Sequence, residues 1–281
     1  MQIHYHSKGL LQALNQLPQS TRVLVPTMGN LHSGHLSLVE EARRQGDAVI
    51  VSIFVNPMQF GSHEDIDAYP RTMDSDIEKL RVSGCDHLFA PGTADIYPEG
   101  LTAQTVVHVP GLSSRHCGIS RPGHFDGVTT IVSKLFNMTR PDKAVFGLKD
   151  YQQFMLINKL ISDLCYPIEL VGVETCREAS GLAMSSRNGY LDPAQRETAA
   201  GLYRELLQAA AALKNGQDIA TIENQAQARL VENGLRPDYF TVCHAQTLEP
   251  ATAEDRDLVI LAAVYLGRTR LIDNIRVSLN T

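Results

Sequence analysis

No stretch of this 281-residue chain is apolar for long enough to cross a membrane: the longest run, residues 258–266, falls well short of the ~18 residues a spanning helix needs. The first residues also lack a basic-then-apolar targeting pattern, so the expectation is a cytoplasmic protein with no membrane partner. Cysteine is sparse and not paired by spacing. The five cysteines, at positions 85, 117, 165, 176 and 243, form no C-x-x-C and so signal neither a disulfide framework nor a zinc site. An excess of positive charge is missing as well. With 25 Lys and Arg against 31 Asp and Glu, the net charge of −6 argues against a chain-wide footprint for nucleic acid and favours small-molecule partners. Internal repeats and low-complexity tracts are absent.

What is present is an alternation of apolar, strand-like runs with helix-like stretches up to about residue 176. Residues 23–25, 48–55, 105–109, 144–146 and 168–173 read as strands. Positions 128, 131, 132, 135 and 136 repeat with helical spacing, and 151–164 reads as another helix. Runs that are apolar throughout suit parallel strands covered on both faces, which predicts an α/β fold with a Rossmann-like doubly wound parallel sheet over residues 1–177. A loop-rich stretch then begins, and 178–281 is expected to form a second, smaller α+β lid domain. There Asp192-Pro193 is expected to cap a helix carrying Leu202, Leu206, Ala210 and Leu213, closed by Asn215-Gly216. A second helix follows over 219–232, then strands at 239–243, 258–265 and 271–277.

The segment PTMGNLHSGH, residues 26–35, joins the first of these strands to a helix through a glycine-bounded turn that sets His32 and His35 on one helical face. A strand-to-helix junction of this kind is a natural phosphate site, because unpaired amide donors and the positive end of the helix dipole face the anion. Helix-start histidines also cap or pack without any catalytic task, and a metal reading lacks a third ligand nearby. Other candidates carry similar alternatives. Lys149, just past a strand, suits a polyphosphate or a solvated loop. Gln59 and Gln153 offer bidentate groups for a hydroxy acid or serve as turn residues. Ser185-Ser186-Arg187 suits a loop closing over phosphates or a plain helix cap. Asp76 is read as a magnesium-positioning carboxylate or as a dipole partner at a helix start. Arg121 and His124, around Pro122-Gly123, either reach a carboxylate or begin the long helix.

Five separated blocks, PTMGNLHSGH, FVNPMQFG, DAYPRT, FGLKDYQQ and LAMSSRN, resemble the pantoate–β-alanine ligase family in order and spacing. The family is in turn similar to class I aminoacyl-tRNA synthetases, whose HIGH signature is echoed by His32 to His35 and whose KMSKS loop is loosely echoed by Met184 to Arg187. Ala183 and Ser186 stand where those synthetases carry lysines, so Lys149 and Arg187 are left to supply the positive charge. The resemblance implies ATP and Mg2+ as co-substrate and metal, pantoate and β-alanine as the other partners, and a homodimer.

It also implies residue roles. His32, His35, Lys149, Ser185, Ser186 and Arg187 would be catalytic. The nucleotide would be held by Met28, Gly29, Asn30, Leu31, Ser33 and Gly34 around the two histidines, by Gly147, Leu148 and Asp150 around Lys149, and by Cys176 and Met184 beside the serines. Gln59, Gln153 and Tyr69 would serve the organic substrates, and Arg121 and His124 join them on the local reading of their loop, not on the resemblance. The implied reaction activates the pantoate carboxylate as an acyl adenylate, releasing pyrophosphate, and passes the acyl group to β-alanine with loss of AMP. Two rivals remain at this point: a nucleotidyltransferase on the same fold, and a nucleotide-binding protein without catalysis.

Overall fold

Residues 48–53, AVIVSI, are buried at every position, as expected of a parallel strand covered on both faces. The computed structural model describes residues 1–17, 19–61, 64 and 66–279. It divides into two compact units, Met1–Leu148 with Gln153–Glu174, and Lys149–Gln152 with Thr175–Thr281.

The first unit is built on β1 (Gln2–His4), β2 (Arg22–Thr27), β3 (Ala48–Ile53), β4 (His87–Phe89), β5 (Lys143–Gly147) and β6 (Glu169–Val173), all paired in parallel in the order β1-β4-β3-β2-β5-β6. Its principal helices are α1 (Ser7–Leu14), α2 (Ser33–Gln45), α3 (Met73–Val82), the short α4 (Thr93–Ile96) and α5 (Cys117–Ser120), α6 (His124–Thr139) and α7 (Tyr151–Asp163), whose first two residues go with the second unit. One apolar cluster packs Leu10, Phe89, Val132, Phe136 and Ile157 against one face of the sheet. Another packs Val39, Ala42, Leu80 and Leu88 against the other. The strand order reverses between β2 and β5, so the crevice beyond their carboxyl ends is where such sheets bind ligands.

In this unit two details depart from the sequence reading. Residues 105–109 form no strand: the Val107 amide donates to the Thr130 hydroxyl and the Val107 carbonyl accepts from Thr129, so α6 side chains satisfy the backbone that a neighbouring strand would otherwise pair. The strands β1 and β4 were not legible. Each is three residues long, too short for any periodicity to register.

The second unit contains α8 (Pro193–Ala199), α9 (Gly201–Lys214), α10 (Ile219–Glu232) and the antiparallel strands β7 (Arg236–His244), β8 (Asp257–Leu266) and β9 (Thr269–Ser278), in the order β7-β8-β9. Its core joins Leu202, Leu206, Ala210 and Leu213 of α9 to Ile222 and Leu230 of α10 and Phe240, Ile260 and Val264 of the sheet. Asp192 does cap a helix with Pro193 at its first turn, but that helix is α8, which ends at Ala199. The apolar positions from 202 onward belong to α9, entered directly from Ala200. Among the described residues no helix is long and apolar enough to cross a membrane.

Candidate active site

The turn after β2 is bent by backbone that only particular residues tolerate. Gly29 has φ of 81° and Asn30 φ of 51°, both left-handed, the second being a conformation that asparagine adopts more readily than most residues. A Cβ on Gly29 would sit 3.0 Å from Ile53 Cγ2 and 3.2 Å from Asp76 Oδ2, so the glycine is needed for space as well as for φ. Helix α3 grips the turn from the side. Asp76, 1 % exposed, accepts the Asn30 amide at Oδ2 and the Leu31 amide at Oδ1, each at 2.8 Å, and the Thr72 hydroxyl at 3.2 Å. One turn further along α3, Lys79 Nζ donates to the Leu31 carbonyl at 2.7 Å. The Leu31 side chain is itself buried in the core with Val39 and Ile53, so that residue anchors the turn from below.

His32 is the N-cap of α2 and His35 its third residue, and the two imidazoles cap the helix reciprocally. His32 Nδ1 accepts the Gly34 amide at 3.2 Å, and His35 Nδ1 accepts the His32 amide at 3.4 Å, with ring centroids 4.1 Å apart. A ring nitrogen that accepts from an amide carries no proton, so each neutral imidazole bears its hydrogen on Nε2. The capping that a bland reading would assign to these residues is therefore present. It also fixes both rings with Nε2–H as donors at a helix N-terminus.

Gln59 lies in a 3-10 turn, Pro57–Gln59, that follows β3 and is seated on α6. The seat is Gly127, where a Cβ would come within 2.5 Å of the Met58 carbonyl oxygen and 2.6 Å of Gln59 Cα. Asn56 Nδ2 donates to Gln59 Oε1 at 3.1 Å, and Gln59 Nε2 lies 3.2 Å from Met28 Sδ, which brings the Gln59 side chain to the turn after β2. Arg121 and His124 meet the same segment from its other side. Arg121 makes a bidentate pair with Glu64 at 2.6 Å, and its Nη1 donates to His124 Nε2 at 2.8 Å. His124 Nδ1 in turn donates to the Gln59 carbonyl at 2.8 Å, so the arginine forces the opposite tautomer here. These two side chains hold the backbone of Gln59. Tyr69 is 5 % exposed and meets the Phe60 ring edge-on, while Gln153 is half-buried in the first turn of α7. Gly147 ends β5, and Leu148 turns its side chain into the core.

Within the second unit, Lys149 is half-buried and Asp150 exposed. Asn274 of β9 donates to the Lys149 carbonyl at 2.8 Å. Its neighbour Asp273, 4 % exposed, takes a bidentate pair from Arg177 at 2.6 and 2.9 Å, and Arg177 lies 3.5 Å over the Tyr203 ring. Arg177 pairs across to Ala183, and Met184 N donates to the Cys176 carbonyl, so β9 supports the hairpin that carries Cys176 and Met184. Ser185 caps the 3-10 turn Ser186–Tyr190 by accepting the Arg187 amide at 3.2 Å, which leaves its hydroxyl hydrogen to donate. Ser186 and Arg187 stand half-buried in that turn. Sequence reasoning passed over Asn56, Lys79, Asp273 and Asn274. Asn56 precedes a proline, a turn signal that was available, whereas the two residues of β9 carry no local mark at all.

Among the described residues no group of three or more His, Cys, Asp or Glu side chains could hold a metal ion. Asp76 is buried, its oxygens already accept three hydrogen bonds, and among the described residues it belongs to no such group, so its surroundings suit a clamp on the turn better than a magnesium ligand.

The model of the Pantoate-beta-alanine ligase family matches residues 2–276 of the chain. A pantothenate synthetase of Pseudomonas putida is 57 % identical over 257 residues, which cover 91 % of this chain and 90 % of that protein. The crystal structure of pantothenate synthetase from Thermus thermophilus superposes with a TM-score of 0.92 at 42 % identity, covering 98 % of this chain and 99 % of the other. A Francisella tularensis pantoate–β-alanine ligase, solved with Beta-gamma ATP and Beta-alanine, superposes with a TM-score of 0.83 at 35 % identity over 98 % of this chain and 97 % of that one.

Proposed function

The chain belongs to the pantoate–β-alanine ligase family, and we propose from that premise a division of labour among its own residues. The reaction joins pantoate to β-alanine as pantothenate at the expense of ATP. A carboxylate is a poor acyl donor, so the first step attaches it to the α-phosphorus, with pyrophosphate as leaving group. Negative charge then spreads over the α-phosphoryl oxygens. The Nε2–H groups of His32 and His35, aimed from a helix N-terminus, are donors for that charge and need not move during the step. This preorganised pair is the observation that carries the reading.

The remaining roles follow the family motifs and the local geometry. Met28, Gly29, Asn30, Ser33 and Gly34 offer backbone to the nucleotide, with Gly147, Leu148, Asp150, Cys176 and Met184. Lys149, Ser185, Ser186 and Arg187 supply donors for the phosphates. Gln59 and Gln153 bind pantoate, Tyr69 serves β-alanine, and Arg121 and His124 fix the Gln59 backbone from behind. Asp76 holds the adenylating turn and is not assigned to the metal; Mg2+, when bound, would offset negative charge on the phosphates. In the second step the β-alanine amine attacks the acyl carbon, AMP departs with the bridging oxygen, and the nitrogen loses its proton. The homodimer rests on the resemblance alone, and sedimentation equilibrium decides it.

Pantoate labelled with 18O in its carboxylate tests the sequence of steps. One label is expected in AMP and one in pantothenate. Unlabelled AMP would overturn the adenylate, and a product that keeps the adenylyl group would make the chain a nucleotidyltransferase.

A further inference from the structure

Asn56 is 1 % exposed and uses its whole hydrogen-bonding capacity. Its Oδ1 accepts the Tyr97 hydroxyl at 2.7 Å and the Met58 amide at 3.3 Å. Its Nδ2 donates to the Gly127 carbonyl at 3.0 Å and to Gln59 Oε1 at 3.1 Å. Reversing this carboxamide would set its oxygen against two acceptor oxygens and its NH2 against the Met58 amide, so only one orientation is satisfied. That orientation passes to the next side chain. Gln59 must turn Oε1 towards Asn56, which leaves its NH2 pointing away, beside Met28 Sδ, an acceptor weak enough for a substrate oxygen to displace.

Tyr97 is the fixed end of this chain. Its ring is 3 % exposed, packs 6.2 Å from Phe54, and lies 4.7 Å beneath Lys134 Nζ. Lys134 is itself tied to the Ile96 carbonyl and to Gln104 Oε1. Burial pushes the Tyr97 hydroxyl up to about 12, so it remains a donor at neutral pH.

We propose that Tyr97 is a positioning residue for pantoate recognition: its hydroxyl, together with the Met58 amide and the Gly127 carbonyl, holds the Asn56 carboxamide that locks Gln59 with its NH2 donors towards the substrate. The site is thereby made selective for a ligand that offers oxygen acceptors there, a carboxylate or hydroxyl, over one that offers donors. The proposal rests on Gln59 binding pantoate, and its test separates the two claims.

Steady-state constants are measured for Tyr97→Phe, Gln59→Ala and the double variant. Tyr97→Phe is expected to raise the pantoate KM about tenfold, as for loss of one buried hydrogen bond, with the ATP KM unchanged. In the Gln59→Ala background it should add nothing, because the group it orients is gone. A rise with Gln59→Ala but none with Tyr97→Phe, or effects that multiply in the double variant, would overturn the relay while leaving Gln59 as a ligand. No rise with Gln59→Ala would remove the Gln59 reading and the relay with it. Asn56→Asp gives a second route that keeps the tyrosine. Its carboxylate should draw Gln59 Nε2 inward and present Oε1 to pantoate, raising the pantoate KM at least as far; an unchanged KM would contradict the relay.

Discussion

Asp76 Oδ1 accepts the backbone amide of Leu31 at 2.8 Å from 45 residues away in the sequence. With the matching bond to Asn30, this makes Asp76 a clamp on the turn after β2. Asp76→Asn should cost about 2 kcal/mol of stability, since a neutral amide meets one backbone N–H with a donor where the carboxylate had an acceptor. Urea denaturation measures it. The magnesium concentration for half-maximal activity should stay put, and a large rise in that concentration would make Asp76 a metal ligand after all.

Asn274 donates to the Lys149 carbonyl. Asn274→Ala should lower kcat about tenfold by loosening the lysine, while stability falls by about 1 kcal/mol, as expected for one hydrogen bond. An unchanged kcat with the same loss of stability would reduce this contact to a structural one.

The hydrogen bonds assign opposite tautomers around the site. Nitrogen-15 spectra of the imidazoles should show Nε2–H for His32 and His35 and Nδ1–H for His124 near neutral pH. An Nδ1–H signal from His35 would remove its role as an Nε2 donor.

His4 and His87 face each other across β1 and β4, Nε2 to Nδ1 at 3.1 Å. Burial lowers both from the ordinary 6.5, and a charge on His4 further disfavours charge on His87, so the unfolded chain takes up protons first. The stability they lend is therefore complete above about pH 6.5 and lost as the pH falls through their depressed values. The melting temperature should drop on acidification from pH 7 to 5, and less steeply in His4→Gln/His87→Gln. Equal slopes would show that other groups carry the acid sensitivity.

Much of the fold was readable because its central strands are apolar on both faces and its long helices keep strict spacing, as in β3 and α6. The three-residue strands gave no period, and the backbone at 105–109 was claimed by the Thr129 and Thr130 side chains, which no local pattern announces. The histidines were visible because the turn compresses them into ten residues. The contacts that support the candidate residues were not. Lys79, Tyr97 and Asn274 act from elements remote in sequence from Leu31, Asn56 and Lys149, and Asp76 was visible only as an acidic residue at a helix start, whereas the folded chain shows that it spends its charge on two amides.

The most direct test is a single-turnover measurement on His35→Ala, following pantoyl-adenylate formation by rapid quench beside the equilibrium affinity for ATP. A preorganised donor that acts on developing charge should lose roughly 10²–10³ in the rate of adenylate formation while the ATP Kd stays within about threefold. Equal losses in rate and affinity would contradict it, and His35 would then be a nucleotide-binding residue only.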